Sequence, residues 1–198
     1  MRLNIVNESD DALGRYLRKA QRYGHDAVLE VLHAWKNAEN DPEYPKGDAE
    51  KESAYQLSKV KELLDKKKQI LIVDDDESVR NLTASILSRD GYANISQAGN
   101  SKEALEYLLR NRPDLVISDN NMPRDNNGLD IYIFIMKNPS YADTTEFILM
   151  TGNTRLLDEL PQDSNYRKFL NDRPLRHILY KPYQIDELKR TVEDCLRE

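Results

Sequence analysis

The chain has 198 residues and a formal net charge of −6, because 35 acidic side chains outnumber 29 basic ones. This acidic balance argues against nucleic acid as the main partner. The single cysteine, Cys195, excludes an internal disulfide framework and favours a reducing compartment, so we expect a cytoplasmic protein. No apolar run approaches the roughly 18 residues that span a bilayer, and the first residues lack an apolar signal segment, so no membrane association is expected.

Residues 1–66 have helical periodicity and no strand pattern, which predicts an α-helical extension. One face is formed by Leu13, Tyr16, Leu17 and Ala20, and a second face by Val28, Val31, Leu32 and Trp35. The segment "DPEYPKGD" (41–48) interrupts the pattern before a connecting helix. Two short helices leave apolar surface open when they pair alone. That surface could fold back on the second domain or pair with a second copy, and we favour a homodimer through these helices.

From residue 67 to 198, short apolar strands alternate with amphipathic helices. The expected strands are 69–73, 94–98, 114–118, 147–151 and 177–180. Strands that are mostly apolar throughout are buried on both faces, so the pattern predicts a doubly wound α/β domain with a five-stranded parallel sheet. The expected inward faces of the helices after the first and last strands are Val79, Leu82, Ile86 and Leu87, and Ile185, Leu188, Val192 and Leu196.

Chemically active residues follow four of these strands. They are Asp74, Asp75 and Asp76 after the first, Asp119 after the third, Thr151 and Gly152 where the fourth ends, and Lys181 and Pro182 after the fifth. In a parallel sheet the carboxyl ends of the strands lie at one edge, where ligands bind in this architecture. We therefore expect a crevice in which carboxylates, a hydroxyl and an ammonium group converge.

Crowded carboxylates repel one another unless a cation lies among them. Mg²⁺ prefers oxygen ligands, commonly one or two carboxylates together with water and phosphate oxygens. A lysine and a threonine beside such a cation suit a phosphoryl group that moves onto a carboxylate, because that reaction depends mainly on positioning and charge neutralisation. The sequence thus predicts a magnesium-dependent phosphoryl-acceptor site.

Four motifs, "ILIVDDDESVR", "LVISDNNMP", "MTG" and "YKPY", occur in this order over residues 69–198. Together they resemble the receiver domain of CheY-like two-component response regulators. The resemblance implies a flavodoxin-like sheet of order 2-1-3-4-5. It also implies a phosphoprotein without enzymatic turnover of a separate substrate, which receives a phosphoryl group from a histidine kinase or phosphotransfer protein and then changes its contacts with a downstream protein. No output domain is expected after the last helix.

The resemblance also assigns roles to individual residues. Asp119 is the expected phosphoacceptor, and the expected metal ligands are Asp74, Asp75, Asp119 and the backbone carbonyl of Asn121. Thr151, the amide of Gly152 and Lys181 are expected to bind the phosphoryl group. The bond between Lys181 and Pro182 is expected to be cis. Apart from the resemblance, we expect Asp76 to be a solvated or helix-capping acid rather than a metal ligand.

Three features depart from the family pattern. The loop between Pro123 and Gly128 is longer than usual, and so is the segment between Thr151 and Lys181. The fifth-strand position that commonly holds an aromatic side chain is Ile178, which puts the usual read-out of phosphorylation in question. Two alternatives therefore stay open, a scaffold that binds partners regardless of phosphorylation and an intermediate of a phosphorelay. His25 and His33 lie in no recognisable phosphotransfer motif.

Overall fold

The computed structural model describes residues 8–123, 127–161 and 164–196, with side chains from residue 12 onward. The chain divides into two compact units, Met1–Lys67 and Lys68–Glu198. None of the described helices combines the length and apolar character that crossing a membrane requires.

The described residues of the first unit form three α-helices: α1 (Glu8–Ala20), α2 (His25–Asn37) and α3 (Ala49–Lys66). Their shared core holds Ala20, Ala27, Val31, Val60 and Leu64. The first two helices pack together, and α3 packs against both of them. Val60 and Leu64 of α3 complete this core. The spacing of these two residues places them on one face of the helix. The hairpin thus buries apolar surface within its own unit, which reduces the area left for a partner.

The second unit contains five parallel strands: β1 (Gln69–Val73), β2 (Asn94–Ala98), β3 (Leu115–Asp119), β4 (Glu146–Thr151) and β5 (His177–Tyr180). Their order in the sheet is β2-β1-β3-β4-β5, which confirms the predicted doubly wound fold. The central strand β3 is buried along its whole length, since helices cover both faces of the sheet.

The remaining helices are α4 (Glu77–Arg89), α5 (Ser101–Leu108), α6 (Gly128–Lys137), α7 (Pro139–Ala142), α8 (Leu156–Glu159), α9 (Asn165–Asp172) and α10 (Ile185–Leu196). Short polar side chains begin several of them. Asp76, Asn100 and Asn127 accept hydrogen bonds from backbone amides in the first turns of α4, α5 and α6. These caps fix where each helix leaves the loop that follows a strand.

Two residues assigned to the core from the sequence are exposed. Leu82 on α4 is 61% exposed, whereas Thr83 and Leu87 are buried. An α-helix turns about 100° per residue, so Leu82 lies about 120° from the centre of the face that those two residues define and points away from it. Ile185 is 54% exposed because it is the first residue of α10, and the contacts with the sheet are made by later residues, beginning with Leu188.

Candidate functional site

Three carboxylates meet where β1 and β3 end. Asp74, Asp75 and Asp119 each place an oxygen within 4.8 Å of the other two. Asp74 and Asp119 are buried, at 1% and 6% exposure, whereas Asp75 is exposed. The parallel pairing of β1 with β3 accounts for this meeting, because Val73 lies opposite Ser118 and both chains then leave the sheet at the same edge.

The ammonium group of Lys181 bridges the two buried carboxylates. Its Nζ lies 2.9 Å from Oδ2 of Asp74 and 3.1 Å from Oδ1 of Asp119. Three carboxylates and one ammonium leave a formal charge of −2 at this edge when all are ionised. A divalent cation would neutralise that charge, and an all-oxygen donor set is what Mg²⁺ prefers, so the residues present fit such an ion.

Burial and charge act in opposite directions on these groups. Burial raises the pKa of Asp119 above its usual value, although Lys181 opposes the shift, and the charge of Asp74 raises it further. Burial alone would lower the pKa of Lys181, but its hydrogen bond to Asp74 and the charge of Asp119 outweigh that effect and raise the pKa. The charged form of Lys181 is therefore favoured, whereas burial makes the ionised form of Asp119 more costly than in water.

Thr151 is the last residue of β4, and Gly152 follows it, beside this cluster. The hydroxyl oxygen of fully buried Thr151 accepts a hydrogen bond of 3.1 Å from the amide of Asn153. Because the oxygen acts as acceptor there, its own proton can be donated to a bound anion. The amide of Lys181 donates to the carbonyl of Thr151 at 2.8 Å, which ties the ends of β4 and β5 together, and the peptide bond before Pro182 is cis.

Neighbouring groups hold the first carboxylate in place. The amide of Asp76 donates to Oδ1 of Asp74 at 2.9 Å, while the Asp76 side chain caps α4 as the sequence indicated. A guanidinium nitrogen of Arg80 donates to the backbone carbonyl of Asp74 at 2.7 Å. The sequence analysis missed Arg80. Its position one turn into the helix that follows the acidic strand end was the available signal.

The segment after Asp119 returns close to the site. Asn121 is exposed and forms an isolated antiparallel bridge with Asn127, and the amide of Gly128 donates to the carbonyl of Asn120 at 3.2 Å. A Cβ atom on Gly128 would lie only 2.6 Å from the backbone oxygen of Asp119. A side chain would therefore collide with the strand end, which explains why a glycine begins α6 although the preceding loop is longer than usual.

Ile178 is partly buried on β5 opposite Leu149 of β4. The aromatic residues nearest to it in the sequence, Tyr180 and Tyr183, occupy other positions in the fold. Tyr180 is 40% exposed, and Tyr183 packs on the core with its hydroxyl 3.5 Å from the sulfur of Met150. Ile178 has no polar group, so it cannot take over a hydrogen-bonding role of an aromatic side chain such as tyrosine.

Comparison with known proteins identifies the family. The model of the response regulator receiver domain matches residues 70–193. The chain belongs to this family. It is a CheY-like signalling protein rather than a catalytic enzyme. The receiver domain is preceded here by the helical unit described above.

Two curated relatives illustrate the similarity. Sporulation initiation phosphotransferase F of Bacillus subtilis is 32% identical over 128 residues, which cover 65% of this chain and 93% of the relative. The probable chemotaxis protein CheY of Rhizobium etli is 28% identical over 127 residues, which cover 63% and 89%. Both relatives are thus covered almost entirely by the matched region.

Solved structures agree with this assignment. The response regulator TrrA of Thermotoga maritima, solved in complex with Mg²⁺ and BeF, is 31% identical and has a TM-score of 0.52, with 65% of this chain and 98% of that chain covered. CheY4 of Vibrio cholerae is 26% identical, with the same TM-score and coverage. The acidic triad of this chain is typical of a receiver Mg²⁺ site.

Proposed function

We propose that this response regulator accepts a phosphoryl group on Asp119 in a Mg²⁺-dependent reaction. The observation that supports the proposal best is the position of this carboxylate. It lies at the end of the central strand, next to Asp74 and Asp75 and 3.1 Å from the ammonium group of Lys181. An oxygen of Asp119 would attack the phosphorus atom of a phosphohistidine, the P–N bond would break, and the imidazole would leave with the electron pair.

The other residues of the site have distinct roles in this proposal. Asp74, Asp75, Asp119 and the backbone carbonyl of Asn121 would hold Mg²⁺, which when bound supplies positive charge against the incoming phosphoryl oxygens. Thr151 would donate its hydroxyl proton to one phosphoryl oxygen, and the amide of Gly152 would donate to another. Lys181 would exchange its contact with Asp119 for one with the phosphoryl group and keep its contact with Asp74.

Receiver domains interact with kinases or phosphotransferases, and the donor for this chain would be a histidine kinase or a phosphotransfer protein in the cytoplasm. The response would be a change in contacts with a downstream protein. A scaffold that works without phosphorylation and an intermediate of a phosphorelay are the competing functions. The name of the Bacillus subtilis relative, a phosphotransferase, is compatible with the second of these.

We also propose that the N-terminal unit (1–66) mediates interaction, with a homodimer as the favoured form. Leu29 on α2 is 50% exposed, and Leu17 and Trp35 remain only partly buried after α3 has packed against the hairpin. This remaining apolar surface is smaller than the surface expected from two helices alone, so the predicted association is correspondingly weaker.

Labelling with acetyl phosphate and Mg²⁺, followed by mapping of the modified residue, tests the phosphoacceptor role. We expect labelling of the wild-type protein and none of Asp119→Asn. A matched control is Asp143→Asn, because Asp143 is an exposed acid that precedes β4 rather than following it. Wild-type levels of labelling in Asp119→Asn would refute the assignment, and unlabelled wild-type protein would favour the scaffold function.

A further inference from the structure

The inserted segment between β4 and β5 is held by few buried groups. Among its described residues, none in α8 or α9 is fully buried. Phe169 and Leu170 on α9 are partly buried against the core that covers one face of the sheet. A segment that buries little apolar surface opens at a lower free energy than the core around it. Specific polar contacts of α9 therefore have a large share in keeping it in place.

Tyr166 joins α9 to the start of α6 through two hydrogen bonds. Its hydroxyl donates a hydrogen bond of 2.7 Å to Oδ1 of Asp130 and accepts one of 3.3 Å from Nδ2 of Asn127. The hydrogen bond to Asp130, followed by burial, raises the pKa of Tyr166, so the phenol stays protonated as a donor. Asn127 caps α6 through the amide of Asp130 at 3.0 Å, so all three side chains form one small network.

The same network reaches the acidic site. Asn127 forms the isolated bridge with Asn121, whose carbonyl is a proposed metal ligand. The next residue, Gly128, donates its amide to the carbonyl of Asn120, and its Cα approaches the backbone of Asp119 so closely that no Cβ fits. Any shift of the backbone at residues 119–121 is therefore transmitted directly to the first turn of α6, where Tyr166 is bound.

We propose that Tyr166 couples occupancy of the acidic site to the order of α9. A cation that draws the Asn121 carbonyl towards the acids also displaces Asn127. The contact between Asn127 and Tyr166 is already long at 3.3 Å, so it is the first to break. Asn127 also caps α6 through the amide of Asp130, so its displacement moves Asp130, and the 2.7 Å hydrogen bond from Tyr166 to Asp130 breaks next. Release of Tyr166 then loosens α9 and exposes the apolar side chains of Phe169 and Leu170. This inference rests on the proposed function, and it supplies a read-out where Ile178 replaces an aromatic residue.

Hydrogen–deuterium exchange of the full chain tests the coupling, with Mg²⁺ alone and with Mg²⁺ plus beryllofluoride. In the wild-type protein, we expect exchange of the peptide covering 164–173 to rise about tenfold on loading, that is, when the acidic site is occupied. A change of about this size is expected when one hydrogen bond to a charged group is lost. In Tyr166→Phe the peptide should exchange fast in both states. Asp130→Asn, which keeps an acceptor but removes its charge, should give an intermediate response.

Tyr132→Phe is the matched control. The hydroxyl of Tyr132 donates to the carbonyls of Arg173 and Pro174 just after α9, so it anchors the end of α9 without belonging to the network of Asn127, Asp130 and Tyr166. This variant should exchange faster before loading yet keep the response to loading. Unchanged exchange of 164–173 in loaded wild-type protein, or a wild-type response in Tyr166→Phe, would overturn the inference.

Binding of beryllofluoride is measured in parallel by ¹⁹F NMR. If beryllofluoride binds and α9 does not respond, the coupling is refuted and the proposed function stands. If beryllofluoride does not bind to the wild-type protein, both are refuted. If Tyr166→Phe binds beryllofluoride as the wild-type protein does while α9 no longer responds, the role of Tyr166 as a positioning residue is supported, since general loss of structure would impair both.

Discussion

Replacement of Lys181 by methionine would separate the stability of the acidic site from its affinity for metal. The ammonium group lies 2.9 Å from Asp74 and 3.1 Å from Asp119, whose side chains are 2% and 9% exposed. Methionine keeps most of the volume and removes the charge. The metal-free variant would then hold two buried carboxylates without their shared cation, which makes both of them expensive to keep ionised.

The size of the effect follows from this burial. Breaking a buried ion pair by removing one partner costs about 3–5 kcal/mol. The Lys181 side chain is 29% exposed, so water screens part of the interaction and we expect a loss of about 2–4 kcal/mol in the free energy of unfolding. The formal charge of the site changes from −2 to −3. Removing one unit charge about 4 Å from a cation is worth about 1–4 kcal/mol, so affinity for Mg²⁺ should rise about tenfold or more.

The assay is urea unfolding followed by circular dichroism, with EDTA and with Mg²⁺, together with calorimetric titration of Mg²⁺. Lys189→Met is the matched control. Lys189 pairs with Asp90 at 3.0 Å near the protein surface, where an ion pair is worth about 0.2–1 kcal/mol, and it contacts none of the three acids of the site. Lys189→Met should therefore unfold almost like the wild-type protein and bind Mg²⁺ with unchanged affinity.

Two results would contradict this reasoning. One is a metal-free Lys181→Met protein as stable as the wild type, which would mean that the carboxylates are not kept ionised by the lysine. The other is weaker Mg²⁺ binding in the variant, which would mean that the lysine orders the acids more than it competes with the cation. Addition of Mg²⁺ should restore most of the lost stability, because binding to the folded state alone stabilises it.

Three further predictions concern the site and the N-terminal unit. The raised pKa of Asp119 means that the folded state binds this proton more readily than the unfolded chain. The free energy of unfolding of the metal-free protein should therefore gain a contribution from this group as pH falls through its folded pKa. Affinity for Mg²⁺ should decrease over the same range, because protons compete for the carboxylate ligand. Gly128→Ala should lose about 1–3 kcal/mol in urea unfolding, because its Cβ would lie 2.6 Å from the Asp119 backbone oxygen and 2.7 Å from a Leu149 methyl group; wild-type stability would show that α6 can shift freely. Deletion of residues 1–66 should convert a dimer into a monomer in mass measurements; a monomeric full-length chain would refute the assembly role, and loss of Asp119 labelling on deletion would instead indicate that this unit supports the site.

The order of residues along the chain was enough to predict where the acids, Thr151 and Lys181 would lie. Each lies at the end of a short apolar strand, and parallel strands joined by helices end at one edge of the sheet. The helix caps at Asp76 and Asn100 could also be predicted, because capping depends on residues only two or three positions apart. Local patterns determine which elements form and where each one begins.

The packing of these elements against one another could be read only from the tertiary structure. Periodicity indicates that a helix has an apolar face but does not fix how that face is turned towards the sheet, so Leu82 was assigned to the core and is exposed. The contribution of Val60 to the core of the N-terminal unit depends on how three helices pack. The contact between Tyr166 and Asp130 joins residues 36 positions apart. No local pattern encodes such a contact, because it depends on the packing that brings α9 against α6.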